Sequence, residues 1–410
     1  MFYKFEVENF FSIRDRQVID LTVDGKVPDT EGRFGPIFRG ADVRAPKVVA
    51  LFGANASGKT TVLRALMFLA TFIRDSVQTT NAGISGCERF NDMESADRPM
   101  CFAIEFGGAM NFTPEVQQRV TEGECLEQGL YRYELELEVT EGLVRRIAAE
   151  SLRQKPKGQG KWQRVFERDV AGRVRDSRSF SLSGYQHLVK TLAGNHTVIS
   201  SFAKFQHPTA QLFEQAARRV FFQIDPIHAG GDGGVIDFLK TQPAMMLKLN
   251  NELGRIDVGI EEMRFQDSLL NGPVLMFKHK GLQVEMPWML ESHGTRAFIK
   301  MFPFLSAALD CGGVVAIDEM DAAIHPLVLP ELIRWFHDAH VRNRLDGQIW
   351  LSCHSASLLD DLTKEEIVIC EKDREGRTSV HSLMDVKVRR DDNHYRKYLS
   401  GIYGGVPTIG

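Results

Sequence analysis

Residues Leu51–Leu66 read "LFGANASGKTTVLRAL". Within this stretch, Gly53-x-x-x-x-Gly58-Lys59-Thr60 is a complete phosphate-loop pattern. Its glycines let successive backbone N–H groups turn inward at phosphate oxygens. The start of the following helix adds a partial positive charge at the same place. Lys59 would reach the β- and γ-phosphates, and the Thr60 hydroxyl would hold Mg2+. The nucleotide-contacting set is Gly53, Asn55, Ala56, Ser57, Gly58, Lys59, Thr60 and Thr61. The apolar run Val48–Phe52 before the loop suits a buried parallel strand. Thr60–Asp75 after it reads as a helix, with Leu63, Leu66, Met67 and Ala70 on one face.

A phosphate loop needs acids nearby, and "VVAIDEMD" supplies them. Val314–Ile317 reads as a buried strand beside the phosphate-loop strand. Asp318 at its end can hold Mg2+, and Glu319 can orient and polarise an attacking water. His354 ends a further apolar strand, "IWLSCH", and a neighbouring position in the sheet would bring it to the γ-phosphate. "ESHGT", Glu291–Thr295, opens a helix with Ser292 as cap and Gly294 in the turn, which also makes an anion site.

The rest of the sequence narrows the class. The 410 residues are 43% hydrophobic and 25% charged, which is ordinary globular composition and enough for two to three domains. Fifty basic against 54 acidic residues give a net charge of −4, so any nucleic-acid contact must be local. Six scattered cysteines without a C-x-x-C pair argue against a zinc site or disulfide framework and fit a reducing cytoplasm. The N-terminus lacks a signal-peptide core. The most apolar window, Phe298–Ile317, is broken by Lys300, Pro303, Asp310 and Gly-Gly, so no membrane span is expected.

Along the chain, "FYKFEVE" alternates as an edge-type strand, and "CFAIEF", "YRYELELEV" and "GLVRRIAAESL" read as a sheet. Residues 153–180 read as a polar hairpin or loop, 185–222 as helical, and His228–Gly234 as a flexible link. Residues 235–256 read as helix broken at Pro243, and Ile260–Trp288 as strands joined by turns. Four segments follow: an N-terminal half of a nucleotide-binding head (1–75), a β subdomain with a helical insertion (76–285), a C-terminal half of the head (286–370) and a tail (371–410).

The order of these motifs resembles the ABC-type ATPase superfamily, and within it the compact relatives of RecF, SMC and OLD-type heads. "FEVENFFSIRD" is similar to that branch's N-terminal strand and turn, "ESHGTRAF" stands where its signature motif should, and "IDEMDAAIHP" is similar to its Asp-Glu-x-Asp/Glu-x-x-Leu-His-Pro. The resemblance implies an α/β ABC-type P-loop NTPase head with a mixed β subdomain and a helical insertion, without a long coiled coil. It implies ATP and Mg2+ as ligands and a sandwich of two heads around two ATP molecules. Each site would join the phosphate loop, Asp318, Glu319 and His354 of one chain to Ser292, Gly294 and Thr295 of the other. Asp321 would sit at the dimer seam, and His325 would start a helix. The glutamine such ATPases set beside the metal is not placed by sequence, and the turn Phe10–Arg14 is the candidate for adenine contact.

Stand-alone heads of this kind resemble the ATPase halves of two-gene phage-defence systems, including abortive-infection and PARIS-like pairs. That implies a cytoplasmic sensor or scaffold controlling a separate nuclease-like or toxin effector. The alternative is a RecF-like DNA-binding ATPase in repair or recombination. Its candidate contacts are the basic stretches Arg153–Arg164 and Lys387–Tyr398, which also read as solvated loops. A third class is a switch that binds ATP and scarcely hydrolyses it. The tail "YLSGIYGGVPTIG" fits either partner docking or packing on its own domain.

Overall fold

A computed structural model describes residues 1–78, 86–110, 127–224, 231–256, 259–268, 272–322, 324–389 and 392–407. Two sheets face each other across the phosphate-loop helix, Lys59–Asp75. The first sheet holds β1 (Phe2–Glu8), β2 (Gln17–Asp20), β6 (Met100–Ala109), β7 (Gln128–Thr140), β8 (Leu143–Pro156), β9 (Gln163–Arg168) and β10 (Val174–Arg175). They lie antiparallel in the order β10-β9-β8-β7-β6-β1-β2. The alternation of β1 reads correctly, but the strand is not at an edge. It pairs with β2 on one side and β6 on the other. The basic stretch from Arg153 is the end of β8 and the β8–β9 hairpin.

The second sheet carries the phosphate loop. It contains β5 (Val48–Phe52), β11 (Val220–Gln223), β15 (Val314–Ile317), β16 (Gln348–Ser352), β17 (Ile367–Lys372) and β18 (Thr378–Ser382). The order is β11-β15-β16-β5-β17-β18, parallel except for the final hairpin. The Asp-Glu strand β15 is therefore not the neighbour of β5, because β16 pairs with both and lies between them. Every residue of β5, β15 and β16 is buried, as expected when both faces of a parallel sheet are covered.

Successive side chains leave opposite faces of these strands. Val49, Leu51, Val314, Ala316, Trp350 and Val368 join the core under the phosphate-loop helix and the first sheet. Val48, Ala50, Phe52, Val315, Ile317, Ile349 and Leu351 join a second core against the helices His293–Cys311 and Val328–His337. Smaller elements complete the molecule: the pair β3 (Phe34–Pro36) and β4 (Arg44–Pro46), and the sheet of β12 (Ile260–Ser268), β13 (Gly272–His279) and β14 (Met286–Pro287).

Several expectations need correction. The helical reading of 185–222 holds for Gln186–Thr191, Val198–Lys204 and Pro208–Arg218, but Val220–Gln223 is a strand. Of the link His228–Gly234, residues 228–230 lie outside the described residues. Gly231–Gly234 form the first turn of the helix Gly231–Thr241, which precedes a second helix, Pro243–Ile256. Among the described residues no helix is long and apolar enough to cross a membrane.

One buried acid ties the first sheet to the helical insertion. Glu150 on β8 is 1% exposed and accepts the Val198 N–H at 2.9 Å and the Tyr133 hydroxyl at 2.9 Å. Burial pushes its carboxyl from an ordinary 4.5 up to about 7, against the opposing pull of the Val198 N–H and Arg168. The protonated acid therefore contributes stability that is complete below about pH 4.5 and is lost as the pH rises to about 7. Glu150→Gln cannot ionise. Its stability relative to wild type should climb across that window by up to about 3 kcal/mol, read as a rise in variant Tm minus wild-type Tm from pH 4.5 to 8.

Candidate nucleotide-binding site

The phosphate loop leaves the C-terminal end of β5 and is shaped by two glycines. Gly53 has φ +155, and a Cβ there would lie 2.2 Å from the Cys370 carbonyl oxygen. Gly58 has φ +106, and a Cβ there would lie 2.3 Å from Thr378 Oγ1. Neither position tolerates a side chain without displacing β17 or β18. Thr378 uses the space. Its Oγ1 lies 3.0 Å from Ser57 O and 2.8 Å from Ser12 Oγ, and its N–H donates to Ser12 O at 2.7 Å. Ser12 Oγ in turn lies 3.0 Å from Thr61 Oγ1. The N-terminal turn, the loop and the β17–β18 hairpin thus form one hydrogen-bonded unit.

The loop opens into a cleft of about 1180 Å3. Asn55, Ala56, Ser57, Gly58, Lys59, Thr60 and Thr61 line it, with Glu319 and His354 across from them. Phe11 and Ser12 enter from the N-terminal turn, and Glu88–Asn91 and Glu141 from the first sheet's loops. Asn9 explains the position of Glu88–Asn91. Its side chain accepts the Phe90 N–H at 3.0 Å and donates to Arg98 O at 2.8 Å, while Phe11 N–H donates to Glu88 O at 2.7 Å. Seven non-glycine residues have positive φ among those described, and Phe11, Ala56, Glu141 and Glu319 of them line this cleft. Strain of this kind persists where the surroundings force it, as they do at working sites.

Lys59 Nζ donates to the loop's own carbonyls, Gly53 O at 2.8 Å and Ala54 O at 3.0 Å. Burial lowers its pKa, and the nearby Cys370, Asp318, Asp321 and Glu319 pull it back up. Ser57 Oγ is buried with no hydrogen-bond partner among the described residues. A cationic amine, an orphaned hydroxyl and a helix N-terminus around one loop fit an anionic ligand.

The two acids are held by a residue that sequence reasoning missed. Ser352, at the end of β16, donates its hydroxyl to Asp318 Oδ1 and accepts the Glu319 N–H at 2.7 Å. Glu319 itself is forced to φ 49, so its carboxylate leaves the strand direction toward the cleft. Its Oε1 lies 4.0 Å from His354 Nε2. Asp321 turns back within its own chain, its Oδ2 accepting the N–H of His354 at 2.9 Å and of Ser355 at 2.6 Å. Gln223 was also missed. It ends β11, its carbonyl accepts the Asp318 N–H at 3.0 Å, and its Oε1 is buried without a partner among the described residues. The only local signal for it was the short apolar run Val220–Phe222 ending in an amide.

The turn Ser292–Thr295 stands apart from the cleft. Ser292 caps its helix, Oγ accepting the Thr295 N–H at 3.0 Å, and Ser292, Gly294 and Thr295 line a separate hollow with His325 and Val328. His325 Nδ1 accepts the Leu327 N–H at 3.2 Å at the approach to the helix Val328–His337. Ala323, inside the same motif, lies outside the described residues.

The family profile described as "AAA domain, putative AbiEii toxin, Type IV TA system" matches residues 132–360, more than half of the chain. The match includes the Asp-Glu strand and His354, while the phosphate loop precedes it. No curated protein matches. Among solved structures, the chain is similar to the SMC head domain from Thermotoga maritima at 11% identity, over 94% of this chain and 99% of that one, with a TM-score of 0.41. It is also similar to the Smc head domain with an extended coiled coil, bound to the C-terminal domain of ScpA, from Pyrococcus furiosus. That similarity is 12% identity over 98% and 99% of the two chains, with a TM-score of 0.40.

The pair of hydrogen bonds to Asp321 fixes the backbone on which His354 stands. Asp321→Ala should lower stability by about 1–2 kcal/mol and speed amide exchange at His354 and Ser355 selectively. Exchange measured by NMR or mass spectrometry that leaves these two amides unchanged would show that the loop holds without the carboxylate.

Proposed function

The chain belongs to the family of AAA domains described as putative AbiEii toxin, Type IV TA system, and on that premise we propose that it binds and slowly hydrolyses ATP as an ABC-type, dimerising switch. In this reading Lys59 and the loop N–H groups hold the triphosphate, and Thr60 and Asp318 hold Mg2+. Bound Mg2+ would neutralise charge on the phosphates. Glu319 orients the attacking water and takes up its proton, and His354 beside it steadies the γ-phosphate end. The observation that carries the proposal is the strained Glu319, locked by Ser352 and facing the phosphate loop across the cleft.

The separation of Ser292, Gly294 and Thr295 from that cleft supports completion of the site by a second copy of the chain. Two chains would then close around two nucleotides, and hydrolysis would release them. In this reading the switch controls a separate effector, a nuclease-like protein or toxin, in defence against phage; the support from the family is that its description names a toxin–antitoxin system. The test joins ATP turnover to native mass. Lys59→Ala should lose binding and turnover. Glu319→Gln should lose turnover at least about 100-fold, keep ATP binding and accumulate the dimer, because only the water-activating group is gone. Turnover in Glu319→Gln equal to wild type would refute the mechanism.

A second reading, contact with nucleic acid, is favoured by one feature of the first sheet. Arg132, Arg153 and Arg164 are cross-strand partners in a row over β7, β8 and β9. Arg132 is matched by Glu6, Glu105 and Glu134, whereas among the described residues Arg153 has only Glu134 at 3.9 Å. Like charges set directly opposite are unfavourable in a sheet, which suits an anionic partner. If DNA binds here, Arg153→Glu with Arg164→Glu should weaken it and reduce the salt slope by about two phosphate contacts, without changing ATP affinity. Salt-independent binding, or binding unchanged in the double variant, would remove this reading.

A further inference from the structure

The C-terminal segment Tyr398–Gly405 packs against the first glycine of the phosphate loop without lining the cleft. Tyr398 is 7% exposed, and its ring centroid lies 6.1 Å from that of Phe52, the last residue of β5. Its hydroxyl donates to Gly405 O at 3.1 Å, and so holds the turn that packs on Gly53. The segment is pinned on its other side as well. Gly405 N–H donates to Glu371 Oε1 at 2.9 Å, Tyr403 O lies 3.2 Å from His381 Nε2, and the Tyr403 hydroxyl lies 2.9 Å from His394 Nδ1.

The fit leaves no room. A Cβ on Gly405 would lie 2.7 Å from Ile369 Cγ2 and 3.4 Å from the Gly53 Cα, and one on Gly404 would lie 2.4 Å from Glu371 Oε1. Both glycines have positive φ, so the turn is shaped to approach the loop backbone closely. The tail is therefore packed on its own domain up to Gly405, the second of the two sequence readings, and residues 408–410 lie outside the described residues.

Gly53 is met from two sides. The Gly405 turn packs against its Cα, and its carbonyl accepts Lys59 Nζ at 2.8 Å. Two of the three Lys59 ammonium donors are spent on Gly53 O and Ala54 O, so a phosphate bound by Lys59 competes for the group that holds Gly53. Occupancy of the loop thus bears on the very residue against which the tail packs. We propose that Tyr398 is a positioning residue for the phosphate loop, and that Tyr398–Gly405 is a clasp whose order is linked to nucleotide binding. The inference rests on the nucleotide-binding reading above. Linkage is reciprocal: whatever the clasp adds to nucleotide affinity, nucleotide adds to the clasp.

The experiment uses the full chain and ATP with Mg2+. Calorimetric affinity is measured for wild type, Lys59→Ala, Tyr398→Phe and Ile402→Ala, and amide exchange over 398–407 is followed in wild type with and without ATP. Tyr398→Phe removes one oxygen, orphans the Gly405 carbonyl and frees the turn that packs on Gly53. It should weaken ATP about tenfold. Ile402→Ala, on the exposed outer side of the same segment at 64% exposure, should bind as wild type does. Exchange at Tyr403 and Gly405 should slow when ATP is added. The proposal is overturned if Tyr398→Phe binds ATP like wild type, or if exchange in the segment ignores ATP. The exchange measurement needs no variant, so a Tyr398→Phe chain that fails to fold still leaves a decisive result. Wild type that binds no ATP would instead overturn the nucleotide-binding reading, and this inference with it.

Discussion

The absence of a side chain at Gly53 and Gly58 is the constraint on which the site depends. Because nothing projects there, the Cys370 carbonyl, the Thr378 side chain and the Gly405 backbone can all close on the loop. A loop of this kind must hold its N–H groups pointing inward before a ligand arrives, and isolated glycine-rich chain does not do so at low entropic cost. Here the ordering comes from outside. Ser12 and Thr378 brace the helix side, and Tyr398 and Gly405 brace the strand side.

The acids opposite are organised by the same means. One serine hydroxyl, on the strand between β15 and β5, meets both Asp318 and the backbone of Glu319. The insertion of β16 between those strands gives the arrangement its width. It places Ser352 and His354 between the phosphate loop and the acids. A direct β5–β15 neighbour pair would leave no strand end from which either could act.

What the sequence made legible was short in range. The phosphate loop, the strand Val314–Ile317, the cap at Ser292 and the strand ending before His354 each show within ten residues, through glycine spacing, apolar runs or a capping residue. What stayed hidden was set by distant pairing. Val220–Gln223 is too short to declare itself a strand, and only alignment with β15, some ninety residues later, makes it one. Strand order is equally silent, since the parallel strands here are all brief, mostly apolar runs. Ser352 looked like an unremarkable strand residue, and Glu88–Asn91 reach the cleft only because Asn9 bonds them there.

The clamps on the loop also bear on how the chain is made. Ser12 and Thr378 are 366 positions apart, and Ser57 and Thr378 are 321 apart. At a synthesis rate of roughly 5–20 residues per second, the phosphate loop exists for tens of seconds before its partners on β18 do. Contacts of such long separation also close slowly once available. During that interval β5 and the P-loop helix have a hydrophobic face but no brace. The nascent chain must therefore survive a period in which its phosphate loop lacks the distant contacts that shape it.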